Sequence, residues 1–184
     1  MKSFRQLAIG IFTSAFVASM AQGAPEKAIE DLAINPHPAV RPAQKIAFPA
    51  IADWRTLKIR LERSGCFGTC PIYSVEITGD GTVNYLGERF VAVSGGQTTH
   101  ISQKAVRDLY DAFVKADFFW TLDEYMGHVT DLPTYKVTLS FDGRTKRVVD
   151  YAGQMVGLPK AVADLEDAID KTAGTEKWTR KNTP

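Results

Sequence analysis

Cys66 and Cys70 are the two residues of this chain whose type and spacing point most directly to chemistry. They lie in SGCFGTCPIYS, residues 64–74, among Gly65, Gly68 and Pro71. Two sulfurs so placed serve as a staple, as a redox couple or as half of a metal site. A tight turn through Gly68 brings the Cα atoms within the roughly 4.4–6.8 Å that a disulfide spans. Closing so short a loop contributes about 2 kcal/mol through chain entropy, so a staple here shapes a loop rather than supporting the whole fold. A thiol–disulfide reagent wants a cation or a helix start beside one sulfur. Arg60 and Arg63 are the near cations, with Arg63 expected beyond a solvent-facing row, and the C-x-x-x-C spacing departs from the C-x-x-C of thioredoxin-like motifs. A metal centre would have to draw His100 or His128 from elsewhere, because the chain holds three histidines and two cysteines in all.

A second candidate is DEYMGHVTDLPTY, residues 123–135. Asp123, Glu124, His128 and Asp131 supply oxygen and nitrogen ligands, or an acid/base pair, if the loop folds back on itself. The alternate-residue acidic spacing of a calcium loop is absent. The plainer reading is an Asx-type turn at Asp131 before Pro133, with the other polar groups solvated. Three adjacent aromatics at 118–120 cannot all enter one core, which places Phe119 or Trp120 at a rim. Phe119, Trp120, Asp123, Glu124, His128 and Asp131 are therefore the candidate binding rim. No hydrolase elbow, zinc-protease pair, phosphate loop or dinucleotide fingerprint occurs, so no catalytic residue, metal or cofactor is assigned.

The elements that must position these groups follow from periodicity. Leu57, Ile59 and Leu61 alternate with Lys58, Arg60 and Glu62; Tyr73, Val75 and Ile77 alternate with Ser74, Glu76 and Thr78. Both are strands with one wet face, of the antiparallel kind. Asp80-Gly81 and Asp142-Gly143 are expected hairpin turns with positive φ at both central positions, the second joining Tyr135–Phe141 to Arg144–Asp150. A further strand is expected over Arg89–Ser94, broken by Gly95-Gly96. Ser102 caps a helix stapled by Ile101 and Val106, with Leu109, Tyr110 and Phe113 on the same face. Pro159 opens a second helix, with Val162, Leu165 and Ile169 on one stripe and a stop near Gly174. The expectation is a single α+β domain: an antiparallel sheet of about six strands with two helices on one face, in the order ββββαββα.

The 184 residues are 45% hydrophobic and 23% charged, ordinary material for one buried core. The first 23 residues show the basic start, apolar centre and small-residue end of a signal peptide. The apolar run is shorter than the roughly 20 residues that span a bilayer, so no stable membrane anchor is expected after cleavage. Removing Lys2 and Arg5 leaves 20 basic against 21 acidic side chains, which does not recruit nucleic acid. Residues 24–53 form a proline-rich arm whose Ile46, Phe48 and Ile51 are expected to dock on the domain, residues 54–180 the domain, and 181–184 a tail. A periplasmic or secreted monomer that binds a protein or small ligand is the functional expectation, and in that compartment Cys66 and Cys70 are expected to be oxidised. The alternative is a thiol–disulfide redox protein using the same pair.

Arg63-x-Gly65-Cys66-Phe67-Gly68-x-Cys70-Pro71-x-Tyr73, the turn at Gly79-Asp80-Gly81, Asp131-x-Pro133-Thr134 and the terminal Trp178 together resemble an uncharacterised bacterial family, DUF6438-like, with a G-C-F-G-x-C-P-x-Y signature. The similarity runs from about Thr56 to Arg180. It implies a domain boundary and an exported bacterial context, and it carries no activity.

Overall fold

Alternating apolar residues build one sheet. The computed structural model describes residues 47–180; the expected signal peptide (1–23), most of the expected proline-rich arm and the expected tail fall outside the described residues. Seven strands follow in chain order: β1 (Lys58–Arg63), β2 (Ile72–Thr78), β3 (Thr82–Arg89), β4 (Gly95–His100), β5 (Glu124–Met126), β6 (Tyr135–Phe141) and β7 (Arg144–Tyr151). Helix α1 (Gln103–Lys115) lies between β4 and β5, and α2 (Lys160–Ala173) and the short α3 (Glu176–Thr179) follow β7. The sheet order is β4-β3-β2-β1-β6-β7-β5. The fold is α+β, as the patterning predicts.

Leu57, Ile59, Leu61, Val75, Ile77, Val83, Leu139 and Val148 fill one face of the sheet, and α1 and α2 cover it with Val106, Leu109, Phe113, Val162, Leu165 and Ile169. The opposite face carries Lys58, Arg60, Glu76 and Thr138, none of them fully buried. Local chemistry sets the helix ends. The Ala105 N–H donates to Ser102 Oγ at 3.1 Å, Pro159 takes the N-cap position of α2, and Gly174 closes α2 in the left-handed region at φ 67°. Among the described residues, no helix is long and apolar enough to cross a membrane.

Three details depart from the expected pattern. The sheet has seven strands and is mixed, because β5 pairs in parallel with β7 at the edge. Residues expected as a fourth strand, Arg89–Ser94, leave the sheet after Arg89: Phe90 takes φ 57°, and the Ala92 and Val93 N–H groups both donate to the Trp178 carbonyl at 2.9 Å. Gly95 and Gly96 instead begin β4, paired with Gly87 and Leu86. The two Asp-Gly turns also differ. Asp142 and Gly143 are both left-handed, at φ 48° and 74°, whereas at Asp80-Gly81 only Gly81 is, at φ 91°. The latter sits in a three-residue loop closed by the Gly81 N–H on the Thr78 carbonyl at 2.9 Å.

The described end of the arm docks as its apolar residues predict; Ile46 lies outside the described residues. The Phe48 ring meets Tyr110 and Phe119 edge-on, with centroids 5.9 and 5.2 Å apart. Tyr110 donates its hydroxyl to the Pro49 carbonyl at 2.8 Å. The Ala52 and Asp53 N–H groups donate to Asp142 at 2.6 and 3.1 Å, and these donors hold the Asp142 carboxyl below its usual range.

Trp178 ties the far end of the chain to β3 by stacking on Tyr85 at 4.7 Å between centroids, while its carbonyl anchors residues 92 and 93. Trp178→Ala should cost about 3–5 kcal/mol in urea unfolding. Hydrogen exchange should show the Ala92 and Val93 amides losing protection while Ile59 in the central strand keeps it.

Candidate functional site

The helix-covered face is apolar until its last row. Alternation carries Arg63 to the same side as Leu57, Ile59 and Leu61, beneath α2, and not beyond a solvent-facing row as expected. Register sets Arg63 opposite Tyr73 on β2 and opposite Tyr135 on β6, and Tyr135 opposite Asp150 on β7. Tyr73, Arg63, Tyr135 and Asp150 thus form one polar row across four strands. Over that row α2 brings Glu166 and Asp170, four residues apart and one turn along the same side.

The row and the helix are joined by hydrogen bonds. Tyr73 donates its hydroxyl to Asp170 Oδ2 at 2.5 Å, and Thr175 donates to Asp170 Oδ1 at 2.7 Å. The Gly153 N–H donates to Asp150 Oδ1 at 2.6 Å. Gly153 has no room for a side chain, since a Cβ would lie 2.7 Å from that same oxygen. Glu166 lies beside Asp150, and both line the same cleft. The Arg63 guanidinium carbon stands 5.1 Å from the Tyr135 ring centroid, a cation–π distance. Its Nε is buried without a hydrogen-bond partner.

Burial, reinforced by the Asp150 carboxylate, pushes the Glu166 carboxyl up to about 9. Glu166 therefore keeps its proton at neutral pH, beside Asp150. Burial also raises Asp170, against the opposing pull of the hydrogen bonds from Tyr73 and Thr175. The Tyr73 hydroxyl is raised by burial and then by Asp170; the same two causes push Tyr85 up to about 12.

Beside the acid pair opens a cleft of about 430 Å³. Asp150, Gly153 and Glu166 line its floor, and Tyr135, Leu132 and Met155 its apolar walls. Leu132 and Met155 are 46% and 71% exposed, unusual for large apolar side chains beside a core.

The cysteine motif supports one of these walls. Cys66 and Cys70 are joined in a disulfide with Cα atoms 5.6 Å apart, in the connection from β1 to β2. The loop holds residues 131–134 through its backbone and one hydroxyl. The Ser64 N–H donates to the Thr134 carbonyl at 2.9 Å and the Phe67 N–H to the Asp131 carbonyl at 3.3 Å. The Thr134 N–H returns to Ser64 Oγ at 2.8 Å. Leu132 and Pro133, between these anchors, line the cleft.

The sequence-predicted rim lies elsewhere, and none of its six residues lines the cleft. Phe119 packs its ring edge-on against Phe141 at 5.6 Å. Trp120 is half-buried, with an indole N–H that has no partner. Asp123 pairs with the nearly buried Lys146, and Glu124 lies on β5. His128 and Asp131 are exposed in the following loop. Asp131 turns the chain by adopting φ 74°; its carboxylate accepts from the Thr130 hydroxyl at 3.0 Å rather than from the Asx-type backbone donor expected of it. Among the described residues, no three His, Cys, Asp or Glu side chains are placed to hold a metal ion. The groups not foreseen are Tyr135, Asp150, Glu166 and Asp170. Their signal was present as a carboxyl-rich stripe, Asp164, Glu166, Asp167 and Asp170, beside the apolar stripe of α2.

Two measurements test this site. Between its ordinary value and about 9, Glu166 is protonated in the folded chain and ionised in the unfolded one, so the unfolded state binds fewer protons and stability falls as pH rises through that window. Glu166→Gln, a neutral mimic of the protonated acid, should match the parent near pH 4. At pH 8 it should exceed the parent by at least about 1.4 kcal/mol, the equivalent of one unit of displacement, as read in urea unfolding at both pH values. Replacing Cys66 and Cys70 together by serine should cost about 2 kcal/mol and speed amide exchange at Phe67 and Thr134.

Compared with curated proteins, the chain finds no match. The family model described as domain of unknown function DUF6438 matches residues 57–173, from the residue before β1 to the end of α2. That span takes in the disulfide loop, the polar row and the acid pair, and leaves Trp178 outside. It covers well over half of the chain, and the chain belongs to the DUF6438 family.

Proposed function

We propose that this protein is an exported bacterial binding domain, monomeric, which takes a small ligand in the cleft beside α2 while the Cys66–Cys70 disulfide clamps one wall. The observation that carries the reading is the set of hydrogen bonds from the disulfide loop to residues 131–134. They make the motif a support for a concave surface. The cleft volume falls within the roughly 300–1,000 Å³ usual for small-molecule sites. The leader-like first 23 residues support export, and the oxidised pair suits an exported protein. The near balance of charge argues against a nucleic-acid partner.

The test is protein-observed NMR of the purified, disulfide-bonded protein against pools of neutral, anionic and cationic small molecules. Shifts confined to Leu132, Tyr135, Gly153 and Met155 are expected for at least one pool; none with any pool would sink the binding reading. Titration against glutathione should place the disulfide potential below about −300 mV, whereas a value between about −270 and −120 mV would move the function to the cysteine pair itself.

A further inference from the structure

Resting on the cleft as the binding site, we propose that its ligand is an organic cation, with an ammonium or amidinium head against Asp150 and Glu166 and an apolar body along Tyr135, Leu132 and Met155. Asp150 carries the argument. Its side chain belongs to a residue that is only 9% exposed. Its hydrogen bond comes from the Gly153 N–H, and the titratable group beside it in the cleft is another acid, Glu166. Two carboxylates in contact cannot both ionise unless something positive joins them. In the unliganded protein a proton does this; a cation entering the cleft can do it equally well.

The surrounding charges do not already fill that role. Asp150 comes from β7, and Glu166, Asp167 and Asp170 from α2; Asp164 at the cleft edge is paired with Lys160 at 2.5 Å. The cation facing this group from β1 is Arg63, which lies over the Tyr135 ring and divides its charge among Glu166, Tyr73 and Asp170. Tyr73 of β2 and Tyr135 of β6 face the group as neutral phenols, since both are raised from their ordinary value, chiefly by burial. One guanidinium against Asp150, Glu166, Asp167 and Asp170 leaves the site short of positive charge.

The kind of cation follows from two further observations. The described carboxyls do not converge as a metal site, which points away from a bare ion. The walls present exposed Leu132 and Met155 and an aromatic ring, surfaces that suit an alkyl or aryl body and add to cation binding. Binding is then an exchange. The cation enters from solvent, the Glu166 O–H bond breaks, its proton leaves to solvent, and the carboxylate left behind pairs with the bound head.

The probe is benzyltrimethylammonium, whose charge is independent of pH, with benzyl alcohol and benzoate as the neutral and anionic counterparts. Calorimetric titration of the disulfide-bonded protein should show the ammonium binding, with affinity rising at least about tenfold between pH 6 and pH 8.5 and with proton release seen as a buffer-dependent enthalpy. Glu166→Gln, expected to fold, should bind as weakly at pH 8.5 as the parent does at pH 6. Asp150→Asn should lose at least about tenfold at either pH. Benzyl alcohol or benzoate binding as tightly as the ammonium would overturn the cation inference and leave the cleft reading standing, as would cleft shifts with other small molecules but none of these three. Ammonium binding with no pH dependence would overturn the exchange at Glu166. No cleft shift with any compound would remove both readings.

Discussion

The placement of α2 depends on a half-buried acid, Glu166, that stays protonated beside Asp150. The helix covers the sheet with Val162, Leu165 and Ile169, and the turns that bury those side chains also carry Glu166 and Asp170 onto the row of Tyr73, Arg63, Tyr135 and Asp150. Ionised carboxyls there would be desolvated and mutually repulsive. The helix docks because Glu166 stays neutral, Asp170 accepts from Tyr73 and Thr175, and Arg63 supplies one positive charge. The apolar rows hold the two layers together, and the polar row determines how the helix lies over the sheet edge.

This arrangement links elements far apart in the chain. The disulfide does not support the core, as its short loop foretells. It fixes the path from β1 to β2, and that path holds residues 131–134 by backbone hydrogen bonds. Reduction would therefore be felt first at a wall of the cleft and only weakly in global stability. Gly153 acts similarly at the floor: its backbone N–H reaches Asp150 because no Cβ intervenes. A cleft with one wall clamped by a covalent bond and a floor set by a close backbone approach is fixed in shape, which suits the binding role proposed for it by lowering the ordering cost.

A buried polar row is also a cost to stability that an apolar row of the same volume would not carry. Leu57, Ile59 and Leu61 show that β1 can present aliphatic side chains to α2, yet the next residue of that parity is Arg63. The fold thus gives up apolar burial at the end of the sheet that opens to solvent. That trade is characteristic of sites where a charge or a proton must be held ready.

Much of the architecture was legible in the residues themselves because it is local. Period-two alternation marked β1 and β2; the Asp-Gly pairs marked two hairpins, the second joining β6 to β7; Ser102 and Gly174 marked helix ends; and the spacing of Cys66 and Cys70 suited a disulfide. These signals lie within a few residues of the structure they specify. Tertiary structure decided the rest. The three residues of β5 become a strand because β7 offers an edge, and Ala92 and Val93 leave the sheet because the Trp178 carbonyl, more than eighty residues later, takes their amide protons. The site belongs to the second class: Arg63, Tyr135, Asp150 and Glu166 meet through cross-strand register and helix docking, and neither is encoded in the spacing of adjacent residues. The chain by itself therefore determined its elements, their wet and dry faces and its sulfur pair. Which polar groups would be forced together in low dielectric, and so which proton would be held, was settled only when those faces closed on one another.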